Sequence, residues 1–373
     1  MRFTINTQEF LKTLNNVSRA SSSSSTMAYY QYLKLTVVDN GVLLLASNGQ
    51  FTIESLIPNI QKDKQIVFDK DFGSTLVNSK LINAIVAKLP SDTFTFEIIE
   101  NGLAKIEANN IVYNLNVVDS SEYPQIDLSA IGIKLILSSK DINDAISQVS
   151  FAASQKNTRP QLMAVNTEST SSSIIFTATD GARLARKEIA IDTNGVFSVN
   201  IPSKTFIEIA RTLDDTKEVE VYVSDKKVLF KTDFTTISTS LIEGDYPNVK
   251  NIIPKNFYYY LEVNAEEFLN ALSRVSLLSI ERENVVKMTM EEGRVIISSK
   301  SQQVGSAQEF LNLFRYTGER LEISFNGDYV ASAVRALNSN DVLLSFLGEM
   351  KPFTITDKNN SNVIQLITPV RTY

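Results

Sequence analysis

Two kinds of hydrophobic pattern alternate along the chain. In the first, apolar residues recur at the spacing of an amphipathic α-helix, as Phe10, Leu11, Leu14 and Val17 do. In the second, short runs of β-branched and aromatic residues are separated by Asn-Gly, Asp-Asn-Gly or Asp-Lys turns, which is typical of antiparallel strands. Runs of this second kind include KLTVV, GVLLLA, FTIESLI, TFTFEII, IVYNLNVV, VEVYV, KVLFKT and RVIISS. The pattern predicts many short antiparallel strands and a smaller number of helices.

The helical segments repeat along the chain. The sequence EFLKTLNNVS at 9–18 returns as EFLNALSRVS at 267–276, an offset of 258 residues, and a looser copy begins at Ser138, near half that distance. A second helical segment at 79–89 corresponds to 203–213 at an offset of 124, and DYVASAVRALN supplies a third copy at the same offset. Repeats of one period indicate one structural unit used several times.

The repeat sets the domain organisation that we expect. A Tyr-Pro pair at 123–124 recurs at 246–247, so three separate landmarks share one period. We therefore predict an α+β protein with three similar domains at 1–125, 126–250 and 251–373, each with two helices backed by antiparallel sheet. No Pro- or Gly-rich linker separates the repeats, which favours rigid packing between them.

Composition narrows the chemistry. The 373 residues include no cysteine and no histidine, which excludes disulfides, thiolate nucleophiles, and Ser/His, Cys/His or His-metal sites. The N-terminus lacks the features of a secretion signal, and no long apolar run follows, so we expect a cytoplasmic protein without a membrane partner. The net charge of −6 means that any nucleic-acid surface must concentrate its positive charge locally.

Few motifs suggest catalysis or metal binding. In the string ATDGARLA, Asp180 and Arg183 could be a catalytic acid and an anion clamp, or an ordinary Asp-Gly turn between strands, and the turn is favoured because no second carboxylate stands at a defined spacing. The segment from Asp192 to Gly195 resembles the start of a calcium loop, but the required Glu is missing, so we predict a hairpin turn. We expect no metal and no cofactor. Two other classes stay open at this point, an enzyme that uses carboxylates alone and a β-rich surface or adhesion protein.

Five strings give the sequence a family resemblance over essentially its whole length. They are FAASQKNTRPQL at 151–162, ATDGARLA at 178–185, LIEGDYPNVKNIIPKN at 241–256, GEMKPF at 348–353 and QLITPVRTY at 365–373. In this order, on a threefold repeat, they resemble the beta sliding clamps of bacterial DNA polymerase III, and the last two are similar to those of low-GC Gram-positive bacteria. The resemblance implies a non-catalytic subunit, a head-to-tail homodimer that closes a ring around duplex DNA, with helices lining the hole.

The resemblance also gives a role to basic residues on the helical segments. A hole lined by these side chains would contact phosphates without reading bases, which permits sliding. The alternative is an ordinary solvated helix face, because acidic residues accompany the basic ones on the same segments. The run of Ser at 21–25 departs from the family, which often has basic or proline-containing loops there. The candidate DNA-facing residues are Lys12, Arg19, Lys80, Lys88, Lys140, Lys204, Arg211, Arg274 and Arg335.

A cleft that captures short peptide motifs of partner proteins is implied as well. Its apolar members would form sub-pockets, while arginines and backbone groups would orient the peptide. Ala182 departs from the His frequently found in the family. The matching positions are Arg159, Leu162, Thr179, Gly181, Arg183, Leu184, Pro247, Ile252, Tyr329, Met350, Pro369, Val370 and Arg371.

The family further implies a subunit interface and a set of partners. Four residues match interface positions of the family: Tyr113 and Leu115 in the first predicted domain, and Leu277 and Leu278 in the third. Without the family resemblance they would be taken as core residues. The implied partners are double-stranded DNA without sequence preference, the replicative DNA polymerase, the clamp loader, and other proteins with clamp-binding motifs, such as repair polymerases, mismatch-repair proteins and ligase.

Overall fold

The helices lie where the periodicity predicts them. The computed structural model describes residues 1–22, 27–100, 102–156, 159–213, 217–279 and 284–371. In these ranges six α-helices form, two in each third of the chain, as predicted. They are α1 Thr7–Val17, α2 Ser79–Val86, α3 Ser139–Val149, α4 Ser203–Thr212, α5 Ala265–Ser276 and α6 Gly327–Leu337.

The strands account for most of the remaining chain. Those of the first third are β1 Arg2–Asn6, β2 Tyr32–Val38, β3 Gly41–Ser47, β4 Phe51–Pro58, β5 Ile60–Gln61, β6 Lys64–Gln65, β7 Val67–Asp71, β8 Gly73–Asn78, β9 Thr93–Glu100, β10 Leu103–Ala108, β11 Ile111–Asn116 and β12 Val118–Asp119. Those of the middle third are β13 Ile133–Ser138, β14 Ala164–Ser169, β15 Ser173–Thr179, β16 Arg183–Ala190, β17 Ser198–Pro202, β18 Glu218–Val223, β19 Lys227–Lys231 and β20 Thr235–Ser240. Those of the last third are β21 Tyr259–Asn264, β22 Val285–Glu291, β23 Arg294–Ser301, β24 Gly305–Phe310, β25 Phe314–Thr317, β26 Leu321–Asn326, β27 Asp341–Phe346, β28 Phe353–Asp357 and β29 Asn360–Ile367.

A strand leads directly into each helix, and at four of these junctions the N-cap residue is asparagine. Asn6, the last residue of β1, accepts a hydrogen bond from the backbone N–H of Glu9 at 3.0 Å and so caps α1. Asn78, Asn264 and Asn326 cap α2, α5 and α6 in the same way. An N-cap oxygen satisfies one of the unpaired N–H groups at a helix start, which stabilises the helix by about 1 kcal/mol. The recurrence of this device is a structural counterpart of the sequence repeat.

Two compact units organise these elements. The first comprises Met1–Lys140 and Glu208–Leu241, and the second Asp141–Ile207 and Ile242–Tyr373. The first unit contains a five-stranded sheet in the order β11-β10-β9-β1-β7 and a nine-stranded sheet in the order β12-β8-β2-β3-β4-β20-β19-β18-β13, besides the small ribbon of β5 and β6. All of their described pairings are antiparallel.

In the second unit, a nine-stranded sheet has the order β17-β14-β15-β16-β29-β28-β27-β21-β25, and a four-stranded sheet has the order β24-β23-β22-β26. In the nine-stranded sheet, β16 pairs with β29, with Arg183 opposite Ile367 and Leu184 opposite Leu366. It places Thr368, which follows β29, beside the turn that precedes β16.

Aromatic clusters fill the interior of each unit. In the first unit, Phe3 of β1 stacks on Phe96 of β9 with ring centroids 5.2 Å apart, and Phe10 of α1 meets Phe94 edge-on at 5.1 Å. In the second unit, the Phe346 and Phe353 rings lie 5.0 Å apart in a core to which α5, α6 and both sheets contribute. Each cluster fixes helices on sheet, because burying an aromatic ring is worth several kcal/mol.

One local prediction is wrong. The segment between Asp192 and Gly195 lies in the connection from β16 to β17, and these strands do not pair with each other, since β17 pairs with β14. It is therefore not a hairpin turn. The Ser169 hydroxyl donates to the Gly195 carbonyl at 2.6 Å, which holds the crossing segment in place.

Candidate peptide-binding cleft and basic helical surface

The turn between β15 and β16 forms the centre of the candidate cleft. One oxygen of Asp180 accepts hydrogen bonds from the backbone N–H groups of Ala182 and Arg183 at 3.0 and 3.1 Å. Gly181 has a positive φ of 96°, a conformation that glycine adopts without steric cost. The Thr179 hydroxyl closes the turn by donating to the Arg183 carbonyl at 2.5 Å. Asp180 is thus used to build the Asp-Gly turn that the sequence analysis favoured.

Arg183 is held rigidly beside this turn. Its Nε lies 3.0 Å from the second oxygen of Asp180, and its guanidinium carbon is 4.4 Å from the ring centroid of Tyr329 and 5.3 Å from that of Phe151. Both side chains of the ion pair are 15% exposed. A planar guanidinium between two rings and a carboxylate has little conformational freedom left, so the position of Arg183 is fixed.

The C-terminal segment runs along the same turn. The backbone N–H of Thr368 donates to the Ala182 carbonyl at 3.0 Å, and that of Val370 donates to the Ser324 carbonyl of β26 at 2.8 Å. These bonds hold the segment with Pro369 and Val370 between the turn and β26, the strand that leads into α6 and Tyr329.

Besides the turn and the C-terminal segment, two loops contribute residues to the candidate cleft. The N–H of Thr179 donates to the Tyr246 hydroxyl at 2.9 Å, which ties the loop that contains Pro247 to the end of β15. Burial of Tyr246 raises the pKa of its phenol well above the usual range, so the phenol stays protonated. On the other loop, the Leu162 carbonyl accepts from the N–H of Ser154 at 2.8 Å, and the Gln161 amide donates to the Glu243 carbonyl at 3.1 Å.

The thirteen candidate positions differ strongly in accessibility. Leu162, Thr179 and Leu184 are buried, each with less than a tenth of its surface exposed. The exposed members are Arg159, Gly181, Ile252, Met350 and Arg371, and the half-buried members are Arg183, Pro247, Tyr329, Pro369 and Val370. Ile252 and Met350 are therefore the most accessible apolar members, Val370 is partly accessible, and Leu162 and Leu184 are buried.

A cavity of about 450 Å³ adjoins the C-terminal segment. Its lining consists of Lys287, Glu322, Ile323, Ser324, Glu349, Met350, Val370 and Arg371. Lys287 forms an ion pair with Glu322, so the acidic side of the cavity already carries a basic partner. The cavity extends the candidate cleft over β22 and β26.

Sequence reasoning missed several residues of this site. Phe151, Tyr246 and Ser324 position Arg183, Pro247 and Val370, and none of them is among the thirteen. Tyr246 could have been found, because it belongs to the repeated Tyr-Pro pair, and Phe151 opens one of the five family strings. Ser324 holds Val370 through its backbone carbonyl, for which the sequence carries no signal.

Comparison with protein-family models decides the assignment. The N-terminal, central and C-terminal domain models of the DNA polymerase III beta subunit match residues 1–127, 136–248 and 250–371 in that order. The chain belongs to the DNA polymerase III beta subunit family. Curated relatives agree: the beta sliding clamp of Bacillus subtilis is 34% identical and that of Streptococcus pneumoniae serotype 4 is 32% identical, each over 100% of both chains.

Solved structures give the same fold. The crystal structure of the DNA polymerase sliding clamp from Bacillus subtilis has a TM-score of 0.93 at 33% identity, and that of the DNA polymerase III beta chain from Streptococcus pneumoniae has 0.94 at 32%, each covering 100% of both chains. The predicted clamp fold and the similarity to clamps of low-GC Gram-positive bacteria are thereby confirmed.

The nine candidate DNA-facing residues of this clamp-family chain are all exposed. Seven lie on helices, whereas Arg19 lies in the 3₁₀ turn Ser18–Ala20 after α1, and Lys88 follows the end of α2. The three arginines Arg19, Arg211 and Arg274 form ion pairs with glutamates. The other six residues have no ion pair with a described residue. In the serine run at 21–25, the Ser21 hydroxyl donates to the Ser18 carbonyl at 2.7 Å, and Ser23 to Ser25 lie outside the described residues.

The interface candidates of the family lie at sheet edges or beside a helix end. Tyr113 and Leu115 are on β11, an edge strand of the five-stranded sheet, where Tyr113 is exposed and Leu115 is buried. Leu277 and Leu278 follow α5, and Leu277 is 71% exposed. Leu115 is buried in its own unit and Leu278 is half-buried, which leaves Tyr113 and Leu277 as the exposed members of the four.

In the described parts of the chain, metal binding would need a cluster of acidic side chains, and a membrane span would need a long apolar helix. Within these ranges, no group of three or more Asp or Glu residues is arranged to hold a metal ion. No described helix is long and apolar enough to cross a membrane.

Proposed function

We propose that the protein is a sliding clamp that encircles duplex DNA and tethers the replicative DNA polymerase to it, performing no chemistry itself. The observation that carries the proposal is the match of three clamp-domain models in order along the whole chain. A tether raises the local concentration of the polymerase at the primer end far above its bulk value, and this confers processivity. Such a protein works where the chromosome is, in the cytoplasm.

The ring that we propose consists of two copies with three domains each, at 1–125, 126–250 and 251–373. The repeated strand, Asn cap and helix junctions support similar domains, which supply the equal angles that a closed head-to-tail ring needs. The edge strands β11 and β24 support head-to-tail pairing between copies, because an edge strand presents unpaired backbone groups and β24 ends in the exposed Phe310.

A charge placed on this interface is expected to open the ring. Leu277→Glu should leave each subunit folded, because the side chain is 71% exposed, yet it should convert the dimer to a monomer. Light scattering after gel filtration gives the mass, and retention on nicked circular DNA after loading should be lost. The matched control is Val196→Glu, which charges a residue that is 76% exposed and lies between β16 and β17. A Leu277→Glu protein that stays dimeric at micromolar concentration contradicts the interface.

The helical cations are the proposed DNA surface. Exposed Lys and Arg side chains meet phosphates without reading base edges, which suits a ring that must move over every sequence. Lys12 on α1, Lys80 on α2 and Arg335 on α6 support this role, since each is exposed and has no ion pair with a described residue.

The cleft around Arg183 is the proposed docking site for partner peptides. The partners are the replicative polymerase, the clamp loader, and other proteins with clamp-binding motifs, such as repair polymerases, mismatch-repair proteins and ligase. An arginine held against Tyr329, together with Met350 and Val370 along the adjoining cavity, favours a short peptide with hydrophobic anchors.

The main alternative is an enzyme that uses carboxylates alone. Such an enzyme would need two acidic side chains that converge in a pocket without a basic neighbour. Glu322 and Glu349 do line one cavity, but Lys287 and Arg371 line it too, and Lys287 pairs with Glu322. Neighbouring cations keep carboxylates ionised, which does not suit a general acid. This arrangement favours binding over catalysis.

A further inference from the structure

Glu208 joins two of the candidate DNA-facing arginines. One of its carboxylate oxygens lies 3.0 Å from Nη1 of Arg19, and the other lies 2.6 Å from Nη1 of Arg211. Arg211 is one turn further along α4, whereas Arg19 belongs to the turn after α1, 189 residues away in the chain. The three side chains are partly exposed, with 28% for Glu208, 32% for Arg19 and 58% for Arg211. A single carboxylate thus occupies two guanidinium groups at the surface.

A DNA phosphate offers these arginines the same chemistry as Glu208. Guanidinium groups bind carboxylate and phosphate oxygens with the same planar geometry. Exposed ion pairs are weak and are screened by salt, so a phosphate can displace the carboxylate. After the phosphate has displaced it, the Glu208 carboxylate still lies close to the arginines and repels the phosphate, because the side chain is attached to α4.

We propose that Glu208 competes with DNA phosphate for Arg19 and Arg211 and so weakens the direct contact between the protein and the duplex. The inference rests on the proposed function, since it requires that this helical surface face DNA. Weak contacts suit a sliding ring, because each phosphate contact must break before the ring moves on. Lys12 and Lys80 have no ion pair with a described residue, so they contact DNA phosphates without first displacing a carboxylate.

The substitution that tests this is Glu208→Gln, which removes the charge but keeps the size of the side chain. Direct binding to a short fluorescent duplex is measured by anisotropy over a range of salt concentrations. The affinity should rise about threefold to tenfold at low salt, and the slope of log K against log salt should steepen by about one to two, since each added phosphate contact contributes about 0.9. The matched control is Glu188→Gln, which removes an ion-paired glutamate 2.8 Å from Arg186 on β16. It should leave both quantities unchanged.

Two further variants separate competition from a general charge effect. Adding Arg19→Ala and Arg211→Ala to Glu208→Gln should abolish the gain in affinity. In the otherwise wild-type chain, the two arginine substitutions should weaken binding less than Lys12→Gln with Lys80→Gln. A gain that persists without the arginines overturns the proposal.

The lysine variant also distinguishes failure of the inference from failure of the function. If Glu208→Gln binds DNA like Glu188→Gln while the lysine variant binds more weakly, Glu208 is no competitor and the DNA surface stands. If the lysine variant also binds like wild type, the helical surface does not contact DNA, and both the proposed DNA surface and the role of Glu208 are refuted.

Discussion

Alanine at Met350 or at Val370 is expected to lower the affinity for a clamp-binding peptide about tenfold in each case. Both side chains line the cavity next to the C-terminal segment and are accessible in the free chain, Met350 being 52% exposed and Val370 half-buried. Covering such a side chain with a peptide is worth roughly 1–3 kcal/mol, and 1.4 kcal/mol corresponds to a factor of ten. Fluorescence anisotropy with a labelled peptide from the clamp-binding segment of a replicative polymerase measures the loss.

The controls for this prediction separate binding from folding. Ile136→Ala removes an equally exposed apolar side chain, 50% accessible on β13, and should not change peptide affinity. Melting temperatures of the Met350 and Val370 variants should stay near wild type, because neither residue is part of the buried core. Unchanged affinity in both folded variants refutes the cleft assignment.

Leu184 belongs to a different class from these two residues, although it matches the same family cleft. It is 3% exposed and pairs with Leu366 inside the nine-stranded sheet of the second unit. Leu184→Ala is therefore expected to cost about 2–5 kcal/mol of unfolding free energy, as large-to-small core substitutions do. Peptide affinity of this variant reports on folding as well as on contact, so it is no clean probe of the cleft.

Cutting the DNA circle is expected to release the loaded protein almost completely. A ring held by topology stays on a closed circle but runs off a free end, whereas a protein held by surface contacts is indifferent to ends. After loading on a nicked circle, a restriction enzyme cuts the DNA once, and gel filtration measures the fraction of protein that co-elutes with DNA. The fraction should fall from nearly complete to near background at moderate salt, where direct phosphate contacts are weak.

Blocked ends provide the control for the release. Bulky protein caps bound at both ends of the linear DNA should restore retention, because they obstruct sliding without changing the DNA surface. Protein that remains on linear DNA with open ends contradicts the topological tether and indicates ordinary surface binding.

Local signals determined the helices and the fold class. The predicted helix at 79–89 is observed as Ser79–Val86, and the one at 203–213 as Ser203–Thr212. These segments could be predicted because helical periodicity and capping are properties of neighbouring residues. The order of the strands in the second unit could not be predicted in the same way. Arg183 pairs with Ile367, which is far away in the sequence, and pairing between distant segments leaves no local sequence pattern.

The sequence by itself determined the repeat, the α+β class, the family, and the residue types available at the cleft and on the helices. Only the tertiary structure decided which of those side chains are accessible and which are already engaged. Leu184 and Val370 are both apolar, but Leu184 is buried within a sheet, whereas Val370 follows the last strand and is half-buried. Arg19 and Lys12 are both cations near α1, but only Arg19 meets the Glu208 carboxylate, at 3.0 Å. Burial and ion pairing depend on distances between segments far apart in the chain, and those distances are set by packing.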